Sequence, residues 1–505
     1  MAVTSSGPGN FSSVITGGLS VNDDVIINHD VTLDGPAPNV NSLVINSGKT
    51  LTGGGNKITL DGENGSGFVI TNDGSISGNL DLEINTTSPT SINVGGSAGN
   101  CFRDLKLNDA NVDLHLHTDT FIDGNLTIAA GQLTCATEAG AAKNLEVIGN
   151  VSLTGTLTGN ASAVTLGSLT INSAGTYSAT SGTTTLTSEG TFWALDVVQG
   201  GTFTHNNGTV TVTTNTNTLI RGMEGDDTSG TGANALNNLI VNLGSDSYRL
   251  EMDYLASDDS CVIAGDLTIT RGKFYPRSTD DDGNSFTVTG DVLVSADGLY
   301  GVASRTGADS FGSVTIASGG EFIATSGTTT LNGNFTAATA GGFVANGGTV
   351  ETNGSSEIEI GTAGVATTFQ NLKGSNSSFT TIECNATILG TLTVDSGCSL
   401  AFNGSSGMTA TFGTASAAGA IVNNGVVRIR NNNKNIIIQG ASSLYPVAIS
   451  GTDWDWDSQT VSSGEEWSLS NINYDPDLTT GGGGITIKLD GDCEFDAVTV
   501  SSGDK

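Results

Sequence analysis

The octapeptide ATSGTTTL occupies residues 179–186 and again 324–331, 145 positions further on. Extended toward the N-terminus, LGSLTINSAGTYSATSGTTTL (166–186) aligns without a gap on FGSVTIASGGEFIATSGTTTL (311–331), with 14 of 21 positions identical. Where the copies differ, apolar positions stay apolar: Val314 answers Leu169 and Phe322 answers Tyr177. Neither octapeptide holds a group suited to catalysis, so the duplicated property is a pattern of strands and turns.

The same pattern recurs along the chain. Segments of about five residues alternate apolar and polar positions between Gly, Asn, Asp and Ser, as in NSLVINSGKTLTGGG, GNLTIAAGQLT, GDLTITRGKFY and GTLTVDSGCSL. Each reads as strand, tight turn, strand, and the glycines are expected where a turn demands positive φ. A longer period overlies the short one. After an N-terminal β-rich region (1–101), large repeat 1 spans 102–235 and large repeat 2 spans 236–368. A partial repeat 3 covers 369–450, and 451–505 is a tryptophan-containing C-terminal region.

A single strand-turn-strand unit cannot bury its apolar face alone, whereas stacked units share one core and pair their backbone edges. The expected fold is therefore all-β, an elongated β-solenoid or β-helix of short strand-turn repeats. At roughly 22–25 residues per coil, about twenty coils would result. A string of β-sandwiches is the alternative, since strand spacing does not separate the two. A solenoid requires inward ladders of similar residues, and Tyr177, Phe203, Phe322 and Phe343 are expected in them.

Composition narrows the function classes. Glycine supplies 71 of 505 residues, and charged residues are 13% where roughly 25% is usual. With 17 basic and 51 acidic side chains the net charge is −34, which argues against nucleic-acid binding, because phosphate contacts need clustered Lys and Arg. No run approaches the ~18 apolar residues of a spanning helix, so membrane insertion is not expected. MAVTSSGPGNFSSV carries neither a basic n-region nor an apolar h-region and is not read as a secretory signal. The end, FDAVTVSSGDK, stops short of an apolar strand position, so a partner or further polypeptide is expected to cover it. Six scattered cysteines without CxxC spacing read as reduced, buried small side chains.

Candidate chemistry is sparse. In DLHLHTD, His115 and His117 fall on one strand face with Asp113 and Asp119 in phase, a pair able to hold a transition metal if three chains met on an axis. Asp23-Asp24, Asp226-Asp227, Asp258-Asp259 and Asp280-Asp281-Asp282 could bind calcium, although none has a loop spacing that supplies six oxygens. The default expectation is no cofactor. GTDWDWDSQTVSSGEEW contains three of the four tryptophans; Trp454 and Trp456 alternate, and with Trp467, Asp453 and Asp455 they form a candidate glycan-stacking platform. No G-x-S-x-G, HExxH or phosphate loop occurs, so an enzyme is not expected.

The units NSLVINSGKTLT, ATSGTTTL and GGTFTHNNGTVTVT, with starts such as FQNL (369–372), resemble the repeats of β-solenoid appendage proteins of tailed-phage virions and of bacterial surface adhesins. The resemblance implies a structural virion protein, a fibre or appendage of tail or capsid, acting in host attachment. Its partners would be other virion proteins, copies of itself in a homotrimer, and a host surface glycan or protein. The lack of an export signal favours location in the virion over the bacterial cell surface. A bacterial cell-surface adhesin or filament subunit is the first alternative, and a tailspike polysaccharide depolymerase is the alternative from another class.

Overall fold

The computed structural model describes the chain except for residues 17, 38, 87–88, 95–96, 98, 188–191, 224–233, 254–259, 277–283, 405–407, 430–436, 452–453, 456–466, 471, 475–477, 480–486, 491–493, 496–497 and 500–505; beyond residue 450 it describes backbone strands alone. Short strands dominate, joined by one four-residue helix, Phe11–Val14, among the described residues. The chain is a β-solenoid of about 17 turns, fewer than the coil length read from sequence would give. The chain forms two compact units, Met1–Ala256 and Ser257–Lys505.

In the first unit a ten-stranded parallel sheet runs from Ala2–Thr4 to Thr202–Thr204, each strand contributed by a successive coil. The registers place Leu114, Leu133, Leu157, Tyr177 and Phe203 in line across five coils. All five are essentially inaccessible, and the Tyr177 and Phe203 rings meet edge to face at 5.7 Å. Alternation explains the arrangement: period two sends every second residue inward, and stacking superimposes the inward residues of successive coils. The short helix lays Phe11 and Val14 against the first coil, where both are buried.

The corners explain the recurring G-[N/D/S]-L-T signature. Asp104 Oδ1 accepts the Asn125 backbone N–H at 2.7 Å, Asn125 Oδ1 accepts that of Asn150 at 2.9 Å, and Asn150 Oδ1 accepts the Ser168 hydroxyl at 2.7 Å. The second unit repeats the device from Asp266 to Asp291 to Ser313, each step 2.9 Å. The preceding glycines also stack: Gly149 N–H donates to the Gly124 carbonyl at 2.8 Å, and Gly312 to Gly290 at 2.9 Å. A Cβ on Gly149 or Gly312 would strike the carbonyl of the glycine one coil before. The turn glycines within the repeat units, such as Gly48, Gly131, Gly272 and Gly397, have positive φ as expected, whereas these corner glycines do not. Close approach of successive coils is the reason instead.

In the second unit an eleven-stranded parallel sheet runs from Cys261–Ile263 to Glu494–Phe495. A second ladder aligns Phe274, Tyr300, Phe322 and Phe343. Tyr300 and Phe322 stack at 4.4 Å with an interplanar angle of 12°. Beside them lies a buried ion pair, Arg305 Nε to Asp309 Oδ1 at 2.7 Å, while the Tyr300 hydroxyl donates to Asp309 Oδ2 at 2.9 Å. Arg305 and Asp309 are 2% and 1% exposed, so this pair fixes the coil from within.

The twin octapeptides occupy equivalent surroundings. Thr183–Leu186 pairs in parallel with Thr209–Val212 and Thr328–Leu331 with Thr349–Asn353, in the same register. Thr180 and Thr325 each accept the N–H of the glycine two residues on, at 2.9 and 3.0 Å. The copies differ beside the ladder aromatic. The Tyr177 hydroxyl meets Thr184 Oγ1 at 2.7 Å, whereas Phe322 leaves Thr329 Oγ1 buried without a partner. A buried hydroxyl left unmet costs about 1–3 kcal/mol and a net hydrogen bond contributes about 1 kcal/mol. Tyr177→Phe is therefore expected to lower unfolding free energy by about 1 kcal/mol and Phe322→Tyr to raise it by a similar amount. Equilibrium denaturant unfolding of both variants checks the opposite signs.

Candidate functional site

Outward positions are where a solenoid can meet a ligand. On a second parallel sheet of the first unit, one outward column runs Glu83, Lys106, Thr127, Ser152, Thr170, Asp196, Arg221 and Asp253, each in register with the next. Residues in such a column sit about 4.8 Å apart, so like charges on adjacent rungs would repel. The charged rungs accordingly alternate in sign, and the rungs between them carry only hydroxyls.

The aromatic feature of this face lies beside the Asp196 and Arg221 rungs. In the strand Trp193–Val197 the register with Thr218–Arg221 shifts between Trp193 and Leu195. A bulge of this kind re-aims a side chain, and it brings Trp193 and Asp196, three residues apart, to the same guanidinium. Arg221 lies 4.3 Å above the Trp193 ring and donates to both Asp196 carboxylate oxygens, Nε to Oδ1 and Nη2 to Oδ2, each at 2.8 Å. Phe192 stands edge-on to Trp193 at 5.0 Å and 89° and is 67% exposed. One rung on, Glu251, buried, pairs with Arg249. The result is an exposed aromatic ring beside a planar, fixed set of donors and acceptors.

The residues singled out from sequence fall elsewhere. His115 Nε2 contacts Asp113 Oδ1 at 3.4 Å, and His117 packs edge-on against Phe68 at 5.0 Å. Asp119 belongs to a corner ladder, where its Oδ1 accepts the Asn144 N–H at 2.9 Å. Asp23 accepts the Ser20 hydroxyl at 2.8 Å and the Ser20 N–H at 2.9 Å, which hold its carboxyl below the usual range. Asp24 accepts from Asn41 and Ser42. No group of three or more His, Cys, Asp or Glu among the described residues is arranged to hold a metal ion. Asp226-Asp227, Asp258-Asp259 and Asp280, Asp281 and Asp282 lie outside the described residues, as do Asp453 and Trp456. Trp454–Asp455 extends the sheet containing Val426–Ile429, whereas Trp467–Ser470 pairs with Ile437–Gly440 of a different sheet.

Cys101, Cys135, Cys261, Cys384 and Cys398 are buried and unpaired with one another. Burial pushes the Cys135 thiol up to about 12 and the Cys384 thiol up to about 11, so neither is a nucleophile at neutral pH. Comparison with known protein families, characterised proteins and solved structures returned no match.

Asp196→Ala removes the carboxylate that pairs with a half-buried guanidinium, and is expected to lower stability by about 1–3 kcal/mol. Phe192→Ala, at an exposed ring, should change it by no more than about 0.5 kcal/mol. Denaturant unfolding of the two variants tests this division between a supporting residue and a surface one.

Proposed function

We propose that this chain is a structural component of a tailed-phage virion, a fibre or similar appendage of tail or capsid, that meets a host surface through its outward faces. One observation carries the reading: the duplicated elements are those that stack coils, namely the inward ladders, the Gly-Asx corners and the buried threonines of the two octapeptides. Repetition of stacking elements builds a scaffold that holds surface groups at fixed separations. The repeat signatures resemble those of virion appendages and surface adhesins, and the exposed Phe192 beside the Arg221–Asp196 pair supplies a surface suited to contact. Other virion proteins and further copies of the chain are the partners this reading implies.

Immunogold labelling of purified particles and of host envelopes, with an antibody raised against the full chain, tests the proposal. Labelling of an appendage on particles is expected. Labelling of the bacterial envelope without particles would overturn it in favour of a cell-surface adhesin, and degradation of host polysaccharide by the purified chain would overturn it in favour of a depolymerase.

A further inference from the structure

We infer that Phe192, Trp193 and the Arg221–Asp196 pair form a binding site for a neutral hexopyranose glycan. The inference deepens the attachment reading and rests on it for its biological setting, while the chemistry stands on the site itself.

A single exposed apolar side chain on a protein surface needs no explanation. Phe192 is not single. Its ring stands 5.0 Å from Trp193, the Trp193 ring carries Arg221 at 4.3 Å, and two bonds of 2.8 Å to Asp196 fix the guanidinium. Each of these contacts orients the next, so the groups are held before any ligand arrives, which reduces the entropy lost on binding. The bulge in the strand Trp193–Val197 brings Trp193 and Asp196 to the same guanidinium.

The two chemistries of the site match the two chemistries of a sugar ring. A hexopyranose has an apolar C–H face bordered by hydroxyls that both donate and accept. The exposed Phe192 ring offers a surface for the apolar face. The partly exposed Arg221 and Arg249 guanidiniums, held by the buried Asp196 and Glu251, offer donors to the hydroxyl rim, and the partly exposed Asp253 offers acceptors.

Charge selects among sugars. Three carboxylates, Asp196, Glu251 and Asp253, face two guanidiniums, Arg221 and Arg249, in this part of the sheet. Both guanidiniums are already matched by carboxylates, and the whole chain carries −34. A uronate, sulfate or phosphate would meet local and long-range repulsion. The glycan is therefore neutral.

The test uses the full chain with defined probes: neutral gluco-, galacto- and manno-oligosaccharides, with polygalacturonate and heparin as acidic counterparts. Saturation-transfer NMR and calorimetry should detect binding to at least one neutral series, with little change on raising salt, and none to the acidic polymers. Phe192→Ala should weaken binding on the order of tenfold or more with an unchanged unfolding midpoint, and Phe192→Tyr should retain it. Absence of binding to every neutral series, binding confined to acidic polymers, or equal affinity of Phe192→Ala would overturn the inference. Each of those results leaves particle labelling unaffected, so failure of the glycan site is distinguishable from failure of the appendage reading.

Discussion

Parallel, in-register hydrogen bonding between successive coils is the constraint from which the rest follows. It makes the nearest neighbour of each strand residue its own counterpart one coil away, at about 4.8 Å. Like must tolerate like at that distance. Inward, this produces ladders such as Leu133, Leu157, Tyr177 and Phe203, where apolar groups superimpose without cost. Outward, repeated like charges would repel, so hydroxyl rungs such as Thr127, Ser152 and Thr170 fill a column whose charged rungs alternate in sign. The 13% charge content follows from this geometry.

The same constraint gives acidic residues structural work. Asp104, Asp119, Asp266 and Asp291 sit at corners, where each carboxylate accepts a backbone N–H from the next coil. Asn125 and Asn144 do so interchangeably, and Asn150 accepts the Ser168 hydroxyl instead. Acidity in this protein is thus partly corner chemistry. The regular column is interrupted at the bulge beside Trp193.

The fold was legible because its signals are periodic: alternation, the matched pairs Leu169/Val314 and Tyr177/Phe322, and the recurring corner signature all survive without any three-dimensional information. Three features were not legible. The need for glycine at the corners is one, because sequence does not reveal how close the preceding coil lies. The burial of Arg305 and Asp309 depends on the aromatic ladder beside them, which leaves no local signal in the sequence. The contact between Trp193 and Arg221 is the third. A strand alternates faces, so Trp193 and Asp196, three residues apart, are expected on opposite faces, and only the register shift brings both to Arg221. The adjacent aromatics in a chain of 6% aromatic content were the available signal. Of the preferred tryptophans, Trp454 and Trp467 lie in strands of different sheets.

Disulfide trapping tests the in-register stack most directly. Ser152 and Thr170 are opposite each other in adjacent coils, whereas Ser168 opposes Asn150. A Ser152→Cys/Thr170→Cys variant places its Cα atoms within the distance a disulfide spans, and mild oxidation should join positions 152 and 170, as peptide mapping would show. A Ser152→Cys/Ser168→Cys variant, offset by two residues, should remain largely unlinked. Equal trapping of both pairs, or preferential trapping of the offset pair, would contradict the parallel register on which the whole account stands.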